Sequence, residues 1–206
     1  MQRLTGAASA GEVLLLLAVT LPLAIRLQLP TLWFVAPFLL ITVTRRPYDV
    51  YGLTLRGAGS LRFHLSVSIV VLGGYCVAYY AYAHWFFGRS FHPSIAPDIG
   101  QRALDQLIII GLSEEFFFRG YAQTQFNFWL GRPYRFLGAS WGPGLVIAAI
   151  LFGLCHLVDG DITRLRVILF GLFAGWLRER SDTILVPAAY HGVSNLLHEF
   201  MQRSLR

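Results

Sequence analysis

Apolar residues in this chain run in long blocks, and polar residues collect in the gaps between them. A bilayer-crossing helix needs about 20 largely apolar residues. Blocks that approach this length occupy residues 11–29, 63–87, 101–130, 141–158, 162–176 and 183–200, with a shorter one at 31–44 that holds Pro37. The gaps carry turn and charge signals: Arg45, Arg46, Arg56 and Arg62 among glycines 52, 57 and 59; Pro93 and Pro97; Gly131-Arg132-Pro133; Asp159-Gly160-Asp161; and Arg178-Glu179-Arg180. Gly73-Gly74 inside the longest block marks a bend or a close helix approach. The pattern predicts an all-α, multi-pass transmembrane helix bundle of about seven spans, folded as one integral-membrane domain over residues 1–206.

Composition agrees with that reading. Of the 206 residues, 55% are hydrophobic and 14% charged, against roughly 45–50% and about 25% in soluble domains. All 17 basic residues are arginine. The net charge of +6 is spread over short loops, so it reads as a topology signal and excludes a nucleic-acid partner. The arginine-rich 45–62 loop is expected to be cytoplasmic. With seven spans, the N-terminus and the 131–140 and 178–182 loops share its side, while Arg102, Arg164 and Arg166 fall opposite. Arg3 and the apolar run after it imitate a signal peptide, but Pro22, Arg26 and Gln28 follow instead of a small-residue cleavage site, and the run is read as the first span. Cys76 and Cys155 lie in apolar blocks and read as packing residues, with neither a disulfide nor a thiolate metal site.

Against this apolar background the stretch Ser113-Glu114-Glu115-Phe116-Phe117-Phe118-Arg119 stands out. A charge at a helix centre in lipid costs about 2.5–3.5 kcal/mol on insertion scales, so it needs a partner, a wet cavity or a chemical role. Residues four apart share a helix face, whereas neighbours point about 100° apart. Glu115 therefore stacks on Arg119 and reads as half of a structural ion pair, while Glu114 looks elsewhere, on a face with Gly111, Phe118 and Tyr121. His156 lies one turn after Phe152, and His191 and Asn195 share one face of the last block. His64, His84 and His92 fall at span ends or in loops and read as interfacial, and His198 sits near the chain end on the His191 face. Gly171 and Gly175 form a G-x-x-x-G pattern suited to close packing inside the bundle.

A free carboxylate with a histidine can deprotonate water, and a second histidine with an amide can donate to a developing oxyanion. These groups suffice for attack of water on an amide carbonyl. Glu114-Glu115-Phe116-Phe117-Phe118-Arg119 resembles the E-E-x-x-x-R motif of the CPBP family, the CAAX proteases and bacteriocin-processing enzymes. Phe152 to His156 is similar to its F-x-x-x-H motif, and His191 to Asn195 to its H-x-x-x-N motif, in the same order, across roughly residues 100–200. The resemblance implies a glutamate-type intramembrane endopeptidase without cofactor or metal. Glu114 and His156 would activate water, His191 and Asn195 would stabilise the oxyanion, and Glu115 with Arg119 would give structural support. It implies a protein or peptide substrate reached from the bilayer, and a multi-pass location in a bacterial or archaeal cell membrane. Two alternatives stay open at this point. A zinc-dependent intramembrane protease could use Glu114, His156 and His191 as ligands, although no H-E-x-x-H occurs: His198-Glu199 runs into Phe200, Met201 and Gln202. A transporter or immunity-type protein could use the buried charges as a relay.

Overall fold

The computed structural model describes residues 6–57 and 59–206; Arg3 lies outside them. The chain is almost wholly helical. We label the long helices α1 (Gly6–Leu27), α2 (Leu32–Val43), α3 (Leu61–Phe87), α4 (residues 99–130), α5 (Pro143–Cys155), α6 (Val167–Ser181) and α7 (Leu185–Ser204). Each falls within a few residues of an apolar block. Two of them, Ala8–Leu27 within α1 and Leu61–Phe87, are long and apolar enough to cross a membrane. Short 3-10 turns at His156–Asp159 and Ile162–Arg166 join α5 to α6. The stretch after α4, expected as a plain loop, is a small hairpin: β1 (Tyr134–Phe136) pairs antiparallel with β2 (Ala139–Trp141). Gly138, at φ +80°, supplies its left-handed turn residue. Pro143 opens α5 in the first turn, where its missing N–H costs nothing.

Helix α4 is the axis of the bundle. From Phe116 to Phe126 every residue is buried, as expected of a helix wrapped on all sides by its neighbours. Trp33 of α2 meets Phe117 edge-on and Phe34 packs tilted against Phe116, while Phe152 of α5 meets Phe118 edge-on and Ala24 of α1 joins the cluster of Trp33 and Phe118. Two stretches of α4, Asp105–Leu112 and Phe116–Ala122, take the wider π register and flank Ser113–Glu115. Such turns bond i to i+5 and shift the faces predicted from a regular helix. Phe118 stays with Glu114 on one cavity wall, whereas Tyr121 turns toward Glu12.

Glycines set the closest approaches. A Cβ on Gly175 would sit 2.7 Å from Leu145 Cγ, and one on Gly171 would sit 3.0 Å from Ala149 Cβ. The G-x-x-x-G of α6 therefore packs against α5 of the same chain. Across the second seam, a Cβ on Gly192 would meet the Gln106 carbonyl oxygen at 2.8 Å, and one on Gly111 the Ala188 carbonyl oxygen at 3.0 Å. Close packing of this kind lets the polar side chains of α4 reach partners on α5 and α7.

Candidate active site

The central turn of α4 presents both glutamates. Glu115 is fully buried and its Oε1 accepts from Arg119 Nη1 at 2.9 Å, the i, i+4 pair that the spacing predicts. The same oxygen lies 2.8 Å from His191 Nδ1 on α7. A carboxylate can only accept, so Nδ1 carries the hydrogen. The other ring nitrogen, His191 Nε2, points toward Glu114 Oε2 at 3.8 Å, beyond hydrogen-bond range. One imidazole thus lies between the two carboxylates, a link between helices that neither motif shows alone. The Arg119 guanidinium also lies over the Phe152 ring, 4.3 Å from its centroid, a cation–π contact that strengthens where water is excluded.

His156 ends α5. Its Nδ1 is 2.8 Å from the Phe152 carbonyl oxygen, one turn back. A carbonyl only accepts, so Nδ1–H donates and Nε2 of the neutral ring keeps its lone pair. His156 and Glu114 line the same cavity, of about 470 Å³, together with Leu21, Ala24, Trp33, Phe118 and Cys155. Glu114 Oε2 is buried there without a hydrogen-bond partner. Such an atom costs about 1–3 kcal/mol, more for a charge, unless something fills its place. The cavity is otherwise apolar over most of its wall, with Gln28 and Arg164 at its rim.

Asn195 lies one turn beyond His191 but engages a different partner: its Nδ2 donates to Gln106 Oε1 at 2.8 Å. The structure therefore brings Glu114 and His156 to one cavity, His191 behind Glu114, and Asn195 to the neighbouring turn of α4. His198 bonds through Nδ1 to the Tyr75 hydroxyl on α3, away from this cluster. Cys155, read as a packing residue, lies on the cavity wall beside His156. Sequence reasoning also passed over Trp33 and Gln106. Neither carries a motif; only the packing of α2 and α7 against α4 reveals them. Among the described residues no three histidine, cysteine or acidic side chains group as a metal ion would need.

Residues 102–197 match the family model for type II CAAX prenyl endopeptidase, Rce1-like. Over this stretch, just under half of the chain, the sequence is similar to the Rce1-like endopeptidases. The match takes in the stretches of α4, α5 and α7 that bear Glu114, Glu115, Arg119, His156, His191 and Asn195. The similarity is to a family of CAAX-type proteases. No curated protein and no solved structure matches the chain. Helices α1 and α2 lie outside the Rce1-like match, yet they supply Leu21, Ala24 and Trp33 to the cavity wall.

Proposed function

We propose that the chain is a multi-pass membrane endopeptidase, one integral-membrane domain in which Glu114 and His156 activate a water for attack on a peptide carbonyl. A single observation carries this reading. An unpartnered buried carboxylate oxygen and a histidine with a free Nε2 lone pair line one cavity. Water held between them loses a proton to the Glu114 carboxylate as its oxygen bonds to the carbonyl carbon. When the C–N bond breaks, the same proton passes to the leaving nitrogen. The oxyanion formed in between needs donors. His191 offers Nε2–H when its ring is doubly protonated, since Nδ1–H is held by Glu115. Asn195 Nδ2 has a second hydrogen beside the one given to Gln106. Glu115 and Arg119 hold His191 in place from behind. The apolar wall suits a substrate segment drawn from the bilayer, and the long apolar helices α1 and α3 support a membrane location. A bacterial or archaeal cell membrane is the setting this reading assigns.

The test is cleavage of prenylated and unprenylated C-terminal peptides by the purified chain in lipid, with Glu114→Gln beside it. A positioned acid–base group contributes about 10²–10⁴-fold, so Glu114→Gln is expected to lose at least about 10²-fold in turnover at an unchanged melting temperature. Undiminished cleavage by Glu114→Gln would overturn the assignment. Turnover abolished by a chelator and restored by zinc would transfer it to a metalloprotease.

A further inference from the structure

The direction of every helix can be followed from its contacts, and this decides which end of the bundle the cavity faces. Helices α5 and α6 run antiparallel, since Gly153 lies against Ile168 and Gly175 against Leu145. Helices α4 and α7 are antiparallel through Gly111 with Ala188 and Gly192 with Gln106. Helices α3 and α7 run parallel: Ser68 meets Tyr190, Tyr75 meets His198, and Ala83 packs with Met201 and Leu205. At one end of the bundle the 45–60 segment meets the α6–α7 turn. There Thr183 Oγ1 donates to the Thr54 carbonyl oxygen at 2.6 Å, and Arg178 Nη2 to that of Val50 at 3.0 Å. The hairpin belongs to this end too, since Trp176 Nε1 donates to the Phe136 carbonyl oxygen at 3.2 Å. At the other end lie the α1–α2 turn, the segment after α3, the turns between α5 and α6, and the C-terminus, whose Ser204 carbonyl oxygen accepts from the His92 amide at 2.7 Å. The catalytic cavity is rimmed by Gln28, Pro30, Val158 and Arg164, all at this second end.

Arginine placement assigns the two ends to the two sides of a membrane. The first hairpin, α1–α2, has Arg45, Arg46, Arg56 and Arg62 on the first end and Arg26 alone on the second. Arginine held back on the cytoplasmic side fixes orientation, and the earliest helices usually dominate. The later arginines divide between the ends, with Arg132, Arg135, Arg178 and Arg180 at the first and Arg89, Arg102, Arg164, Arg166, Arg203 and Arg206 at the second. The orientation therefore rests on the first hairpin, which is placed before them.

We propose that the cavity of Glu114 and His156 opens on the extracytoplasmic side, opposite the Arg45–Arg62 loop, and that its substrates are segments already moved across the membrane. This rests on the protease reading for what happens in the cavity, but not for which way the cavity faces. An apolar wall beneath a polar rim fits a chain whose cut site lies just outside an apolar anchor, with the anchor lying along α1 and α2.

The experiment labels single added cysteines in spheroplasts with a membrane-impermeant maleimide and locates the modified residue by mass spectrometry. Ile162→Cys reports the cavity end and Leu55→Cys the opposite end; both side chains are exposed and neither lines the cavity. Ile162→Cys is expected to label while the membrane is intact, and Leu55→Cys only after it is opened. The reverse pattern, or labelling of both before opening, overturns the proposal. The result is read whether or not a peptide is cleaved, so failure of this inference and failure of the protease reading are told apart.

Discussion

Two glutamate–arginine pairs lie on or against α4, and they are built in opposite ways. Glu12 of α1 is saturated. Its Oε1 accepts from Arg46 Nη1 at 2.6 Å, from Gln125 Nε2 at 2.7 Å and from the Tyr121 hydroxyl, and its Oε2 accepts from Arg46 Nη2 at 2.7 Å. The pair is bidentate and part-exposed, with side-chain accessibilities of 16% and 20%. Outside the helices, the hydrogen bonds that Arg46 donates to Glu12 push its guanidinium still further above its ordinary range. The pair of Glu115 and Arg119 is sealed from solvent, yet Glu115 Oε2, Arg119 Nε and Arg119 Nη2 all lack hydrogen-bond partners. A cluster built for stability satisfies its atoms, as the first does. The second leaves buried polar atoms unmatched beside a cavity, and it holds a histidine that faces another unmatched carboxylate. The two pairs thus differ in what remains unbonded.

Breaking the buried pair from one side should have the largest effect. Arg119→Met leaves Glu115 with only His191, and loss of one partner of a buried pair typically costs about 3–5 kcal/mol. A melting temperature within a degree or two of the parent would contradict this. Replacing both members, Glu115→Leu with Arg119→Met, removes the stranded charge, and such swaps are often neutral or better. The double variant is expected to regain most of the lost stability but to stay poorly active, because His191 loses the acceptor for Nδ1–H. Recovery of full turnover would reduce the pair to scaffolding.

The apolar seam between α5 and α6 gives a reference without charge. Gly175→Leu forces a side chain against Leu145 and Gln123 Oε1, and overpacking of this kind costs about 1–3 kcal/mol. Thermal unfolding in detergent would register it, and an unchanged midpoint would refute the contact. At the saturated cluster the effect should be smaller. Glu12→Gln keeps an acceptor but loses the charge-assisted bonds, for about 1–2 kcal/mol after allowance for its exposure; turnover per folded molecule should hold. Smallest of all, Tyr121→Phe removes one hydroxyl from Glu12, for about 1 kcal/mol. A strong loss of turnover in either variant, at matched folded fraction, would mean that this end of the bundle also serves the reaction.

Much of the architecture was legible in the order of residues. A helix in an apolar block must bury or embed its surface, so the seven blocks became seven helices. Helix α6, however, begins five residues later than its block and runs through Arg178-Glu179-Arg180, expected to close it, because Arg178 and Glu179 are buried against partners. The i, i+4 pairing of Glu115 with Arg119 is local helix geometry and needs no tertiary contact. Gly171 and Gly175 likewise announced a close approach. Glu12, an acid inside the first apolar block, went unread, and only its neighbours reveal what it does.

What the tertiary structure alone decided concerns faces and partners. The π turns around Ser113–Glu115 rotate α4 relative to a regular helix, so Tyr121 left the Glu114 face and His191 came to stand between two carboxylates expected to look apart. His191 and Asn195 share a helix face but reach different partners, because α7 runs antiparallel to α4 and sets one opposite Glu115 and the other opposite Gln106. The cavity wall drew on Trp33, Leu21 and Ala24 from helices that carry no motif. Periodicity fixes where a side chain points relative to its own helix axis; which helix stands opposite depends on the packing of the whole bundle, and there the close contacts at glycine decided it.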